Sequence, residues 1–132
     1  MKRPSILLVD DEVAFANNLQ KLLSKRGYDV IVVYNGSDAV NAVGEKEFDV
    51  IVLDMKMPEM DGITTLKKIK QNMPHVEVVI LTGHGSVESG IEGMKLGAFD
   101  FLIKPVRIED LQEKVSEAYR RKRVYGRRGE RH

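Results

Sequence analysis

No cysteine occurs in the chain, which excludes disulfide frameworks and thiolate metal sites. No apolar stretch approaches the roughly 20 residues of a membrane-spanning helix. The N-terminus begins with a basic Met1-Lys2-Arg3, but its apolar run is only Ile6 to Val9 and then meets Asp10, Asp11 and Glu12, so no secretory signal is expected. Internal repeats are missing, and no shift in composition marks a second domain. These absences leave a soluble, cytoplasmic protein as the expectation. What is present fits that class. The 132 residues are 42% hydrophobic and 31% charged, and one domain of this size buries about two-thirds of its unfolded surface without cross-links.

The net charge of +1 conceals an asymmetry. Residues 120–132 hold seven Lys/Arg and one Glu, leaving 14 basic and 19 acidic residues in 1–119. The body is mildly acidic. The stretch 123–132 is expected to be a basic, disordered tail beyond a domain at 1–122. Basic runs also suit nucleic acid, but this one lacks aromatic interleaving beyond Tyr125, and no helix-turn-helix accompanies it, so nucleic-acid binding by this chain is not expected.

Apolar, β-branched runs alternate with stretches of helical spacing. Strands are predicted over Ser5–Val9, Asp29–Tyr34, Phe48–Leu53, Glu77–Leu81 and Ala98–Ile103. Helices are predicted over Val13–Arg26, Asp38–Val43 with Ser37 as its N-cap, Gly62–Asn72, Val87–Leu96 and Ile108–Tyr119. Five strands alternating with five helices imply an α/β fold with a doubly wound parallel sheet covered on both faces.

In open α/β sheets, ligands bind outside the carboxyl ends of the strands. Those ends carry Asp10-Asp11, Asp54, Thr82 and Lys104, whereas the second strand ends in the chemically bland Tyr34-Asn35. Three carboxylates are hard oxygen donors of the kind Mg²⁺ takes. A hydroxyl and an ammonium can hold phosphoryl oxygens. Two carboxylates about 4 Å apart repel by roughly 4 kcal/mol at an effective dielectric near 20, so such a cluster calls for a cation among its members. Each residue alone has a plainer reading: acids at a helix N-terminus, a loop cap, a strand end, a solvated lysine. Their placement on one edge favours a site.

Asp10-Asp11, the Leu53-to-Gly62 segment around Asp54, Leu81-Thr82-Gly83-His84-Gly85 and Phe101-Leu102-Ile103-Lys104-Pro105 together resemble a two-component response-regulator receiver domain over residues 4–122. The resemblance implies a strand order of 2-1-3-4-5, as in flavodoxin and chemotaxis receivers, and phosphorylation of Asp54 by a sensor histidine kinase or phosphotransfer protein. It also implies Mg²⁺ on Asp10, Asp11, Asp54 and the Lys56 backbone carbonyl, with Thr82, Lys104 and Phe101 as the phosphoryl-binding and switch residues. Lys56 and His84 stand where the family tunes self-dephosphorylation, and Gly83 leaves room for donors. The family's Lys-Pro bond is commonly cis. The output surface would be the fourth helix, fifth strand and fifth helix, open to an effector protein, a fused output domain or a second copy.

The segment from Leu81 to Phe101 is similar to receivers of sigma-54-dependent activators, which usually carry Ala where Gly90 and Gly93 stand. Each interior helix Gly costs about 1 kcal/mol relative to Ala, so the pair implies a marginal, easily shifted helix next to the switch residues, with close packing as the plainer alternative. Two other classes fit less well. A haloacid-dehalogenase-type phosphatase places its nucleophile after the first strand in an Asp-x-Asp pattern. A flavodoxin-like electron carrier needs a phosphate loop there, which three acids would repel. The expectation is a signalling module, either stand-alone or cut from a longer regulator, that catalyses its own phosphorylation and dephosphorylation rather than a metabolic reaction.

Overall fold

The computed structural model describes residues 3–57, 59–83 and 87–130, with the side chains of all of these except 125–130. The described residues form β1 (Ser5–Val9), α1 (Val13–Lys25), β2 (Asp29–Val33), α2 (Gly36–Glu45), β3 (Val50–Asp54), α3 (Gly62–Asn72), β4 (Glu77–Thr82), α4 (Val87–Lys95), β5 (Asp100–Ile103) and α5 (Ile108–Glu130). The strands make one parallel sheet in the order β2-β1-β3-β4-β5.

Burial follows from position in that order. Every residue of β1, β3 and β4 is buried, while the edge strands β2 and β5 are partly exposed. Side chains alternate across a strand, so each run feeds two cores. Leu7, Ile51, Leu53, Val78 and Ile80 pack with Ala39, Val43, Leu66 and Ile69 on one face. Ile6, Leu8, Val50, Val52, Val79 and Leu81 pack with Ala16, Leu19, Leu23, Leu111 and Val115 on the other. Continuous apolar runs are what a sheet covered on both faces demands.

Several boundaries differ from the sequence expectation by a residue or two, β3 starting at Val50 rather than Phe48 and β5 at Asp100 rather than Ala98, and three differences matter most. Asn35, not Ser37, caps α2: its backbone is extended and its side-chain oxygen accepts the Asp38 N–H at 2.8 Å. Asn and Ser cap equally well, so propensity could not choose between them. The helix therefore starts earlier than Asp38 and runs to Glu45. Asp54 closes β3 inside the ladder, paired with Leu81, instead of following it.

The third difference is α5, which continues past Tyr119 to Glu130, through residues expected to leave the domain. Arg and Lys are good helix formers, and two of them are tied to the sheet's N-terminal edge. Arg121 makes a two-pronged ion pair with the buried Glu77 and stacks over Phe99 at 4.6 Å, and Lys122 Nζ lies 2.7 Å from Asp49. Gly27 and Gly97 follow α1 and α4 with φ of 97° and 100°, the left-handed conformation that ends a helix cheaply only for glycine.

Candidate functional site

β1 and β3 are neighbours at the centre of the sheet, so their tips put two acids side by side. Asp10 follows β1 directly and is fully buried, and Asp54 ends β3 with 3% exposure. Each is oriented from the backbone just beyond it. The Glu12 N–H donates to Asp10 Oδ1 at 2.9 Å, and the Lys56 N–H donates to Asp54 Oδ1 at 3.2 Å. The next tip, Thr82 on β4, is fully buried and its hydroxyl has no hydrogen-bond partner among the described residues. A buried hydroxyl without a partner costs about 1–3 kcal/mol, so it marks a place where an acceptor is wanted.

Lys104 follows β5, and its N–H donates to the Thr82 carbonyl at 2.6 Å. The Lys104-Pro105 bond is cis. Its ammonium reaches back across the sheet edge to 2.8 Å from Asp10 Oδ2, 2.9 Å from Glu12 Oε1 and 3.7 Å from Asp54 Oδ2. It also lies 4.5 Å from the centroid of the Phe15 ring.

Electrostatics follow from this arrangement. Burial, helped by the charge of Asp10 and more weakly of Asp11, pushes the Asp54 carboxyl up to about 6, although Lys104 and the Lys56 N–H pull it down. For Lys104, burial works against its charge, yet hydrogen bonds to Asp10 and Glu12 and the charge of Asp54 hold it above the ordinary lysine range. One ammonium is thus shared among three carboxylates, and the crevice keeps a negative surplus. Oxygens of Asp10, Glu12 and Asp54 lie within 4.8 Å of one another, a hard-donor set that fits a divalent cation such as Mg²⁺.

Most of the predicted residues therefore meet. Asp10, Asp54 and Lys104 meet directly, and Thr82 ends the neighbouring strand with its carbonyl on the Lys104 N–H. Asp11 is partly buried and acts on Asp54 through its charge, but it is not in the close carboxylate group, where Glu12 stands instead. The Lys56 side chain is exposed, and its N–H is the tie to the site that the geometry displays. Among the described residues, a Cβ at Gly83 would meet nothing within 4 Å. His84 lies outside the described residues. Glu12 and Phe15 are the partners that sequence reasoning left without a role. The third acid of Asp10-Asp11-Glu12 was a signal for the first, whereas nothing in the sequence singles out Phe15.

Phe101, partly buried on β5, packs into the core beneath α4. A Cβ at Gly90 would lie 2.9 Å from its ring, and one at Gly93 would collide with the buried Ile80. The two glycines thus let α4 close onto β4 and β5, which decides for close packing over a loosened helix.

Residues 6–116 match the family described as "Response regulator receiver domain". The chain is 46% identical over 121 residues to the transcriptional regulatory protein ZraR of Salmonella typhimurium, covering 92% of this chain and 27% of that protein. It is 36% identical over 114 residues to the regulatory protein LuxO of Vibrio cholerae, covering 86% and 25% respectively. The chain thus spans about a quarter of the length of these relatives. Among solved structures, a response regulator receiver domain protein from Clostridium thermocellum superposes with a TM-score of 0.89 at 37% identity, over 92% of this chain and 98% of that one.

Proposed function

The chain belongs to the response regulator receiver domain family, the signal-receiving modules of two-component systems, and on that premise we propose that Asp54 is its phosphoryl acceptor. One observation carries the reading: at one sheet edge a buried carboxylate, an unpartnered buried hydroxyl and a shared ammonium converge.

The donor is a phosphohistidine of a sensor kinase or phosphotransfer protein. An Asp54 oxygen attacks phosphorus, the P–N bond breaks, and its electron pair returns to the donor imidazole. No general base is needed, because a carboxyl whose pKa lies near 6 is already ionised at neutral pH and phosphoryl transfer is mostly positioning and charge neutralisation. Asp10, Asp11, Asp54 and the Lys56 carbonyl would hold Mg²⁺, with Glu12 close by. Bound there, the ion supplies positive charge to phosphoryl oxygens.

Phosphorylation adds about −1.5 to −2 of charge. Thr82 supplies the hydroxyl that has no other partner among the described residues, Lys104 supplies the ammonium, and Phe101, packed against α4, is the third switch residue. Movement of these three is read on the α4-β5-α5 face, where Val87, Ile91, Met94 and Ile103 are exposed apolar residues, by an effector protein, a fused output domain or a second copy. Among the described residues no helix is long and apolar enough to cross a membrane.

Intact-mass measurement after incubation with Mg²⁺ and acetyl phosphate tests the assignment. Wild type should gain one phosphate and Asp54→Asn none. An unchanged wild-type mass with several small donors and with a kinase would overturn it.

A further inference from the structure

Lys104 does not sit where the phosphoryl-acceptor reading finally needs it. Its ammonium is within hydrogen-bond distance of Asp10 and Glu12 but 3.7 Å from Asp54. The displacement is toward α1. Glu12 is the N-cap residue of α1, yet its side chain makes no capping hydrogen bond, so that carboxylate is committed to Lys104. Its backbone N–H is spent on Asp10, which fixes the residue's position. Phe15, three residues on and therefore on the same side of the helix, presents its ring to the same ammonium at 4.5 Å. A carboxylate and an aromatic face are both favourable partners for a cation. Together they form a cradle on the rim of the crevice. It is built from side chains that take no part in binding phosphate.

We propose that Glu12, assisted by Phe15, is a positioning residue that holds Lys104 on the α1 side of the crevice and so keeps Asp54 open to a divalent cation. The inference rests on the acidic crevice of the preceding section being a cation site. Without Glu12 the carboxylates left to the ammonium among the described residues are Asp10 and Asp54, both buried. It then shifts onto Asp54 and competes with the cation for the same oxygens. Glu12 is exposed on the rim, its side chain 62% accessible, so replacing it leaves the core untouched.

The test is a Mg²⁺ titration without any phosphoryl donor, following the backbone amide resonances of Asp54 and Lys56, on wild type, Glu12→Gln, Lys104→Met and the double variant. Glu12→Gln should weaken Mg²⁺ binding about tenfold, the lower end of what loss of a supporting partner costs a metal site. In the Lys104→Met background the same substitution should change affinity by less than about threefold, because the part carried by Lys104 is gone. Equal losses in both backgrounds would mean that Glu12 ligates the ion or acts as a bare charge, and would overturn the proposal. So would no loss in either background, or a wild type that fails to bind Mg²⁺. A crystal structure of metal-free Glu12→Gln gives a second readout, in which Lys104 Nζ should lie within hydrogen-bond distance of Asp54 and an unmoved ammonium refutes the idea. The phosphate mass gain of wild type stands apart from all of these, so failure of the acceptor assignment remains distinguishable.

Discussion

Asp54→Asn should make the metal-free protein more stable, because the site carries a charge the fold would be better without. The folded carboxyl titrates near 6 against an ordinary value of 3.8. A raised carboxyl pKa means that the native state binds the proton more tightly than the unfolded chain. That advantage is fully present below about pH 4 and is lost as pH rises through about 6. The shift of about two units corresponds to at most roughly 3 kcal/mol at neutral pH. Asparagine keeps the size and the oxygen that accepts the Lys56 N–H, and Lys104 keeps Asp10 and Glu12 as partners. Wild type and variant would be unfolded in urea and by heat, in chelator, at pH 7.5 and at pH 4. At pH 7.5 the variant should gain up to about 3 kcal/mol, or roughly 10 °C in Tm for a domain of this size. At pH 4 the two should coincide. A variant less stable than wild type at pH 7.5, or a gain of equal size at both pH values, would refute the electrostatic reasoning.

Mg²⁺ at a hundredfold excess over its dissociation constant should raise the Tm of wild type by the equivalent of about 2.7 kcal/mol, read by differential scanning fluorimetry, with little effect on Asp54→Asn. Thr82→Val removes the unpartnered buried hydroxyl at nearly constant volume and should stabilise by about 1 kcal/mol in urea melts, while slowing phosphate gain in the intact-mass assay. Gly44→Ala in α2, where a Cβ meets nothing, should stabilise by about 0.4–1 kcal/mol. Gly93→Ala should destabilise by a net 1–2 kcal/mol or so, since crowding against Ile80 outweighs the helical gain, and a stabilised Gly93→Ala would mean that α4 is loosely held. Arg121→Ala, which leaves the buried Glu77 carboxylate without its two-pronged partner, should cost about 3 kcal/mol in the same melts, with Glu77→Gln milder.

The sheet and its acidic edge were legible because their signals are strong and local. Val50 to Leu53 or Val78 to Leu81 cannot lie on a solvated surface, and a charged residue ending such a run can only emerge at a sheet edge. What escaped depended on three-dimensional choice. Asn35 and Ser37 are equally good caps by propensity, and nothing local to the sequence selects between them. The ties that hold α5 to the sheet beyond Tyr119 reach Glu77 and Asp49, 44 and 73 residues from their partners. Glu12 and Phe15 acquire a shared purpose only when Lys104, 92 residues from Glu12, arrives between them. The glycines of α4 were ambiguous until Phe101 and Ile80 were seen beneath them.

β4 has a consequence for how the chain avoids folding wrongly. It is walled by strands on both sides and apolar on both faces, so sliding it by one residue would exchange Val78 for Val79 or Ile80 for Leu81, and the two cores would scarcely notice. Glu77 would notice. A slip strands the Glu77 carboxylate away from Arg121, and a buried charge that loses its ion-pair partner costs several kcal/mol. A polar residue that looks like a flaw in a greasy segment serves as its alignment mark. A wholly apolar β4 would bury just as well and would no longer know where to stop.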